Sequence, residues 1–125
     1  MSEATEITIN GLSDLAVGIY LLVDVRDAIS FGYGAIPGAV SMPDIVEQAE
    51  AGKLAKDKKY ILYCMKGMNS ARLVPKLREL DYDAVSLSGG YSAWLMASFG
   101  GDDKQEEIEK SLRKGRFHKA LFSKF

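Results

Sequence analysis

Three apolar runs that alternate with stretches of helical spacing predict an α/β fold built on a central parallel sheet. The runs are residues 20–25, 60–63 and 84–87. They are continuous rather than alternating, as suits strands covered on both faces. Strand alternating with helix calls for right-handed crossovers between parallel neighbours. In such sheets ligands bind beyond the carboxyl ends of the strands. The chain's only cysteine, Cys64, stands at one of those ends.

Taken in order, Glu6-Ile7-Thr8-Ile9 alternates polar and apolar residues and suits a short edge strand. Asn10 or Ser13 is positioned to cap a short helix running through Val17. Residues 20–25 form the first buried strand, with Asp24 and Arg26 where it ends. From Asp27 to Met42 the breakers Gly32, Gly34, Pro37 and Gly38 predict an irregular connection. Residues 43–51 carry proline and acids in a first turn, with Gly52 just beyond, and read as a short helix whose apolar face is Ile45, Val46 and Ala49.

The polar stretch 53–59 leads into the strand 60–63 and the Cys64 loop. Residues 70–80 then place Ala71, Val74, Leu77 and Leu80 at helical spacing, and the helix is expected despite Pro75 inside it. Residues 84–87 are the third buried strand, Gly89-Gly90 a turn, and residues 91–99 a helix turning Trp94 and Leu95 inward. Gly100-Gly101 marks a composition shift. The expected organisation is a domain over residues 4–99 followed by a tail over residues 100–125.

At 125 residues the chain suits one domain with one core. A net charge of -1 and 26% charged residues name no partner. No apolar run approaches the roughly 20 residues that span a bilayer, and the start lacks the pattern of a signal peptide. A cytoplasmic location is expected. One cysteine makes no internal disulfide, and with His118 the single histidine, no metal site is expected.

A single cysteine is by default a small buried hydrophobe. Its surroundings argue otherwise. The thiolate is the reactive form, and an ordinary thiol with pKa about 8.5 is only a few per cent ionised at neutral pH. A helix N-terminus beyond the loop directs free N–H groups at the sulfur. Lys66 adds a positive charge, and Gly67 lets successive N–H groups converge into an anion nest.

Such a bowl fits phosphoryl transfer or sulfur transfer. Phosphoryl transfer relies on a clamping arginine at the position that here is Ser70, so it loses its main transition-state contact. Transfer of sulfane sulfur fits better. The N–H groups would stabilise one added sulfur on Cys64, Lys66 would hold an anionic donor, and no second cysteine is present to expel the sulfur as an internal disulfide. No cofactor is required.

Four motifs appear in order: Leu21-Leu22-Val23-Asp24-Val25-Arg26, Ile36-Pro37-Gly38-Ala39, Tyr63-Cys64-Met65-Lys66-Gly67-Met68-Asn69-Ser70-Ala71-Arg72, and Leu87-Ser88-Gly89-Gly90-Tyr91-Ser92-Ala93-Trp94. On these the chain, from about residue 7 to residue 96, resembles the single-domain rhodaneses. The resemblance implies a rhodanese-like fold and a thiosulfate sulfurtransferase activity. It also implies a Cys64 persulfide held in a six-residue loop formed by Cys64, Met65, Lys66, Gly67, Met68 and Asn69, with Ser70 beside it. Lys66 matches the loop lysine of members that favour thiosulfate. Ser30 and Ala35 stand where members usually show glutamate and histidine, so the polar network there must differ.

Around the loop, Asp24 and Arg26 are read as a supporting ion pair at a strand end. Ser70 is read as a helix cap that also bonds near the sulfur, and Arg72 as a scaffold contact. Tyr91 and Trp94 are read as core, and His118 as solvated.

The tail is acidic over residues 102–109 and basic beyond, with Lys110, Arg113, Lys114, Arg116, Lys119 and Lys124. Ile108 with Leu112, and Phe117 with Leu121 and Phe125, form an apolar stripe, giving a basic amphipathic helix interrupted at Gly115. It either covers the domain's own surface or contacts a membrane surface or RNA. Ile108-Glu109-Lys110-Ser111 and residues 117–125 resemble the lead-in of PP-loop enzymes that thiolate cytidine in tRNA. That resemblance implies a tRNA-thiolating domain, in the same or a neighbouring chain, as a partner that consumes the sulfur. The other partners expected are a thiosulfate-like anion or a persulfide-carrying protein as donor, and a thiol as acceptor. A second reading of the whole chain is a rhodanese-fold module that binds partners without turnover.

Overall fold

A computed structural model describes residues 5–13 and 20–99 of the chain. In order these form β1 (Glu6–Ile7), α1 (Ile9–Ser13), β2 (Tyr20–Asp24), α2 (Ala28–Tyr33), β3 (Val40–Ser41), α3 (Ile45–Glu50), β4 (Lys59–Tyr63), α4 (Met68–Glu79), β5 (Asp83–Leu87) and α5 (Gly90–Phe99). All pairings are parallel, in a five-stranded sheet of order β1-β5-β4-β2-β3. β4 lies at the centre, with Asp24 of β2 in register with Tyr63.

Side chains of β4 alternate between two cores, as the pleat requires. Tyr60, Leu62 and Cys64 join Val23, Val25, Ile45, Leu77 and Ala84 on the face covered by α3 and α4. Ile61 and Tyr63 join Leu12, Leu22, Ile36, Val85, Leu87 and Trp94 on the opposite face, with α1 and α5. Ile61 and Leu62 are wholly buried, each contributing about 1.5–3 kcal/mol relative to exposure. This double burial is why the three continuous runs form strands, and why β4 delivers Cys64 to a fixed place.

Within the described residues the expected strands and helices are present, with shifted ends. The first strand is confined to Glu6–Ile7, at the edge as expected. α1 is capped by Thr8, whose Oγ1 accepts from the Gly11 N–H at 3.1 Å. Its expected continuation to Val17 lies outside the described residues. α3 begins at Ile45, with Pro43 and Asp44 in a turn before it. Pro75 lies inside α4, as expected.

The connection from Asp27 to Met42 is more regular than expected. Asp27 accepts from the Ser30 N–H at 2.8 Å and from Ser30 Oγ at 3.0 Å, and this cap nucleates α2 in spite of Gly32. β3 forms because Val40 and Ser41 pair with the end of β2, and the Met42 N–H extends the ladder to Asp24 O at 2.9 Å. Both features depend on contacts that a count of breakers does not register.

The expected tail helix and its boundary at Gly100 fall outside the described residues.

Candidate active site

Where β4 ends, the Cys64 side chain sits at the floor of a cleft of about 490 Å³ lined by Val25, Arg26, Asp27, Ser30, Cys64, Met65, Lys66, Met68 and Asn69. The thiol itself is nearly buried, at 6% exposure. Its sulfur is the focus of a converging set of donors. The Gly67 N–H lies 3.1 Å and the Ser70 N–H 3.3 Å from Sγ, and Ser70 Oγ stands at 3.4 Å.

The bowl has local and distant causes. Gly67 adopts φ +97°, the left-handed conformation that turns its N–H inward, and a Cβ there would meet Gly89 N at 2.9 Å. α4 begins immediately afterwards, so the free N–H of its third residue, Ser70, points at the sulfur. From the other side, the Tyr91 and Ser92 N–H groups of α5 donate to the carbonyls of Cys64 at 2.8 Å and Met65 at 2.9 Å. The Cys64 and Met65 carbonyls therefore face α5, while the Gly67 and Ser70 N–H groups face the sulfur.

Burial of the sulfur pushes its pKa up. Hydrogen bonds from Ser70 Oγ and from the N–H groups of Ser70, Gly67 and Asn69 favour the thiolate and outweigh burial, so the thiol lies below its ordinary range. Charge-assisted bonds of this kind are the strong ones.

Of the residues singled out in the loop, Cys64, Met65, Lys66, Met68 and Asn69 line the cleft, and Gly67 and Ser70 hold the sulfur from beneath. Ser70 is not the helix cap. Gly67 occupies that position without a side-chain bond, because the helix starts two residues earlier than the apolar spacing suggests. Asp24 and Arg26 form the expected ion pair, with Arg26 Nη2 at 2.7 Å from Asp24 Oδ2 and Nε bonded to both carboxylate oxygens. Arg26 also donates to Gly34 O at 2.6 Å and lies over the Tyr91 ring, 4.4 Å from its centroid. Arg26 lines the cleft, but its guanidinium is committed to the scaffold. Arg72 is exposed rather than packed, and bonds Asn69 Oδ1 at 2.9 Å. Trp94 is core as expected, and Tyr91 is half-buried between the Trp94 and Tyr63 rings.

Beside the sulfur is a residue that sequence reasoning passed over. Ser86 of β5 is fully buried, with Oγ 2.7 Å from Ser70 Oγ and 3.5 Å from Gly67 O. A hydroxyl in a strand covered on both faces must find a partner, and that was the available signal. Asp27 and Ser30 are also new to the site, among the residues that line its cleft. No group of three or more His, Cys, Asp or Glu side chains able to hold a metal gathers among the described residues. Among them, no helix is long and apolar enough to cross a membrane.

Comparison with known proteins places this chain in a family. Residues 9–97 match the rhodanese-like domain. The putative sulfurtransferase YtwF of Bacillus subtilis is 40% identical over 75 residues, covering 58% of this chain and 71% of its own. The thiosulfate sulfurtransferase GlpE of Shewanella oneidensis is 31% identical over 100 residues, 78% of this chain and 99% of its own. A tRNA sulfurtransferase of Desulfurococcus amylolyticus is 31% identical over 81 residues, 65% of this chain but only 16% of that much longer protein. The human single-domain sulfurtransferase TSTD1 superposes with a TM-score of 0.62 at 26% identity, covering 74% of this chain and 96% of its own. With the match running through nearly all of the described fold, the chain belongs to the rhodanese-like domain family.

Proposed function

We propose that the chain is a thiosulfate sulfurtransferase-type enzyme that carries sulfur on Cys64. The Cys64 thiolate attacks the outer sulfur of thiosulfate, a new S–S bond forms, and sulfite leaves with the electron pair of the bond that breaks. A thiolate or cyanide then attacks the outer sulfur of the persulfide, and Cys64 leaves as thiolate. A persulfide on a donor protein would load Cys64 in the same way. Neither step needs a cofactor.

The observation that carries this reading is the pair of N–H groups from Gly67 and Ser70 aimed at a cysteine whose sulfur faces an open cleft. Such donors favour the attacking thiolate and the thiolate that leaves. Kinship with proteins named as sulfurtransferases supports it, and the name of GlpE supports thiosulfate as donor. Lys66 lines the cleft, where a cation would meet an anionic donor. Phosphoryl transfer is disfavoured because Ser70 occupies the place of the clamping arginine, and Arg26 is held by Asp24 and Gly34.

For the acceptor, the resemblance of residues 108–125 to the lead-in of tRNA-thiolating enzymes and the kinship with tRNA sulfurtransferases favour a thiolation domain. In this role residues 4–99 act as the sulfur-carrying domain in the cytoplasm, and the tail as its connection to that partner.

The test is intact mass after incubation with thiosulfate. A gain of one sulfur atom is expected, absent in Cys64→Ser and removed by cyanide. No gain between pH 6 and 9 would leave the protein as a rhodanese-fold binding module instead.

A further inference from the structure

We propose that Ser86 is a positioning residue that directs the Ser70 hydroxyl proton onto the Cys64 sulfur. The proposal rests on Cys64 acting as a thiolate, and it concerns how that thiolate is held.

The geometry is a chain of two hydroxyls between a sulfur and a carbonyl. Ser70 Oγ has one proton and three acceptors within reach: Ser86 Oγ at 2.7 Å, Gly67 O at 3.3 Å and Cys64 Sγ at 3.4 Å. Left to distance, the Ser70 proton would go to Ser86, the shortest contact, and the sulfur would lose a donor. Ser86 can prevent this by placing its own proton on the Ser86–Ser70 line. Ser70 then accepts from Ser86, and its own proton is left to Gly67 O at 3.3 Å or Sγ at 3.4 Å, of which a thiolate, being charged, is the stronger acceptor. The alternative acceptor for Ser86, Gly67 O, lies at 3.5 Å, the poorest contact in the cluster.

Two orientations of the chain follow. With a thiolate, Ser86 donates to Ser70 and Ser70 donates to Sγ, so the short contact and the charged acceptor are both used. With a thiol, S–H donates to Ser70, Ser70 to Ser86, and Ser86 ends on the distant Gly67 carbonyl. The first orientation has the stronger bonds, and two hydroxyls in series polarise one another. Ser70 and Ser86 are both fully buried, so water does not take over either role. No bond to sulfur is made or broken by this device; it changes which state of the sulfur the two serines fit.

Charged residues also line the cleft beside the sulfur. Lys66 comes from the loop, and Arg26 and Asp27 from the end of β2. Arg72 of α4 is turned to Asn69, Tyr91 of α5 stacks on Tyr63, and β5 presents Ser86 rather than a charge. The Ser86 hydroxyl bonds to Ser70 and Gly67 rather than to any of these.

The experiment is the pH dependence of Cys64 alkylation by iodoacetamide, which needs no sulfur donor. Ser86→Ala is expected to raise the apparent pKa by about half a unit or more, slowing alkylation roughly threefold at pH values below the wild-type midpoint. Ser70→Ala should raise it at least as far, and adding Ser86→Ala to Ser70→Ala should shift it no further, because Ser86 acts through Ser70. Ser86→Thr and Ser86→Val add nearly the same volume and differ in the hydroxyl, so Thr should keep the lower pKa and Val should lose it. Equal values for Thr and Val, or a Ser86→Ala shift that persists without the Ser70 hydroxyl, would overturn the proposal. Failure of sulfur transfer itself would show separately, as a wild-type protein that alkylates readily at pH 7 yet gains no sulfur from thiosulfate.

Discussion

Replacing Gly90 by alanine should damage the active-site loop more than any surface feature of the residue suggests. Gly90 opens α5 with φ +58°, and a Cβ there would collide with the Cys64 carbonyl oxygen while lying 2.9 Å from both Gly67 N and the Met65 carbonyl carbon. All three contacts are backbone, so no side chain can rotate aside. The left-handed conformation costs an L-residue about 1–2 kcal/mol, and overpacking adds about 1–3 kcal/mol. Together they remove roughly 2–5 kcal/mol from a stability of about 5–15 kcal/mol. Gly38→Ala is the control, since φ is +87° there but nothing lies within 4 Å of the added carbon. Urea denaturation of both variants separates collision from strain. Alkylation of Cys64 should also slow in Gly90→Ala, because relief of the collision moves the Gly67 N–H away from the sulfur. If Gly90→Ala loses no more stability than Gly38→Ala and alkylates like the wild type, α5 does not hold the loop in the way described.

Asp24→Ala leaves the buried Arg26 guanidinium without its carboxylate, and should cost about 3–5 kcal/mol in urea denaturation, with Asp24→Asn costing less. Lys66→Ala should raise KM for thiosulfate about twofold to fivefold with less change in kcat, because an exposed loop cation mainly binds the donor; a fall in kcat alone would place Lys66 on the transition state. The lowered Cys64 pKa makes two pH predictions. Alkylation should fall away as pH drops through a midpoint below the ordinary thiol range, and the pH-dependent part of the stability difference from Cys64→Ser should grow from that midpoint up to the ordinary thiol pKa and be lost below the midpoint. An alkylation midpoint at or above the ordinary value would mean that burial wins over the hydrogen bonds.

The three central strands were legible because each is buried on both faces, which leaves an uninterrupted apolar run. The stretch from Asp27 to Met42 was not. Its helix depends on one Asp27 cap, and its strand is two residues long and exists only through pairing with β2. The same division runs through the site. Cys64, Gly67 and Ser70 are neighbours in the chain, so a strand, a glycine and a helix start were enough to bring them together on paper. Ser86 and the N–H groups of Tyr91 and Ser92 reach the loop only because the crossover through α4 returns β5 to lie beside β4. That return has a chemical consequence. A loop of this length could turn either its carbonyls or its N–H groups toward the sulfur, and only the second arrangement favours a thiolate. α5 removes the first by taking the carbonyls of Cys64 and Met65 for its own unsatisfied N–H groups. The charge preference of the sulfur site is therefore a property of the sheet order as much as of the loop, and a loop with the same residues on another scaffold would not inherit it.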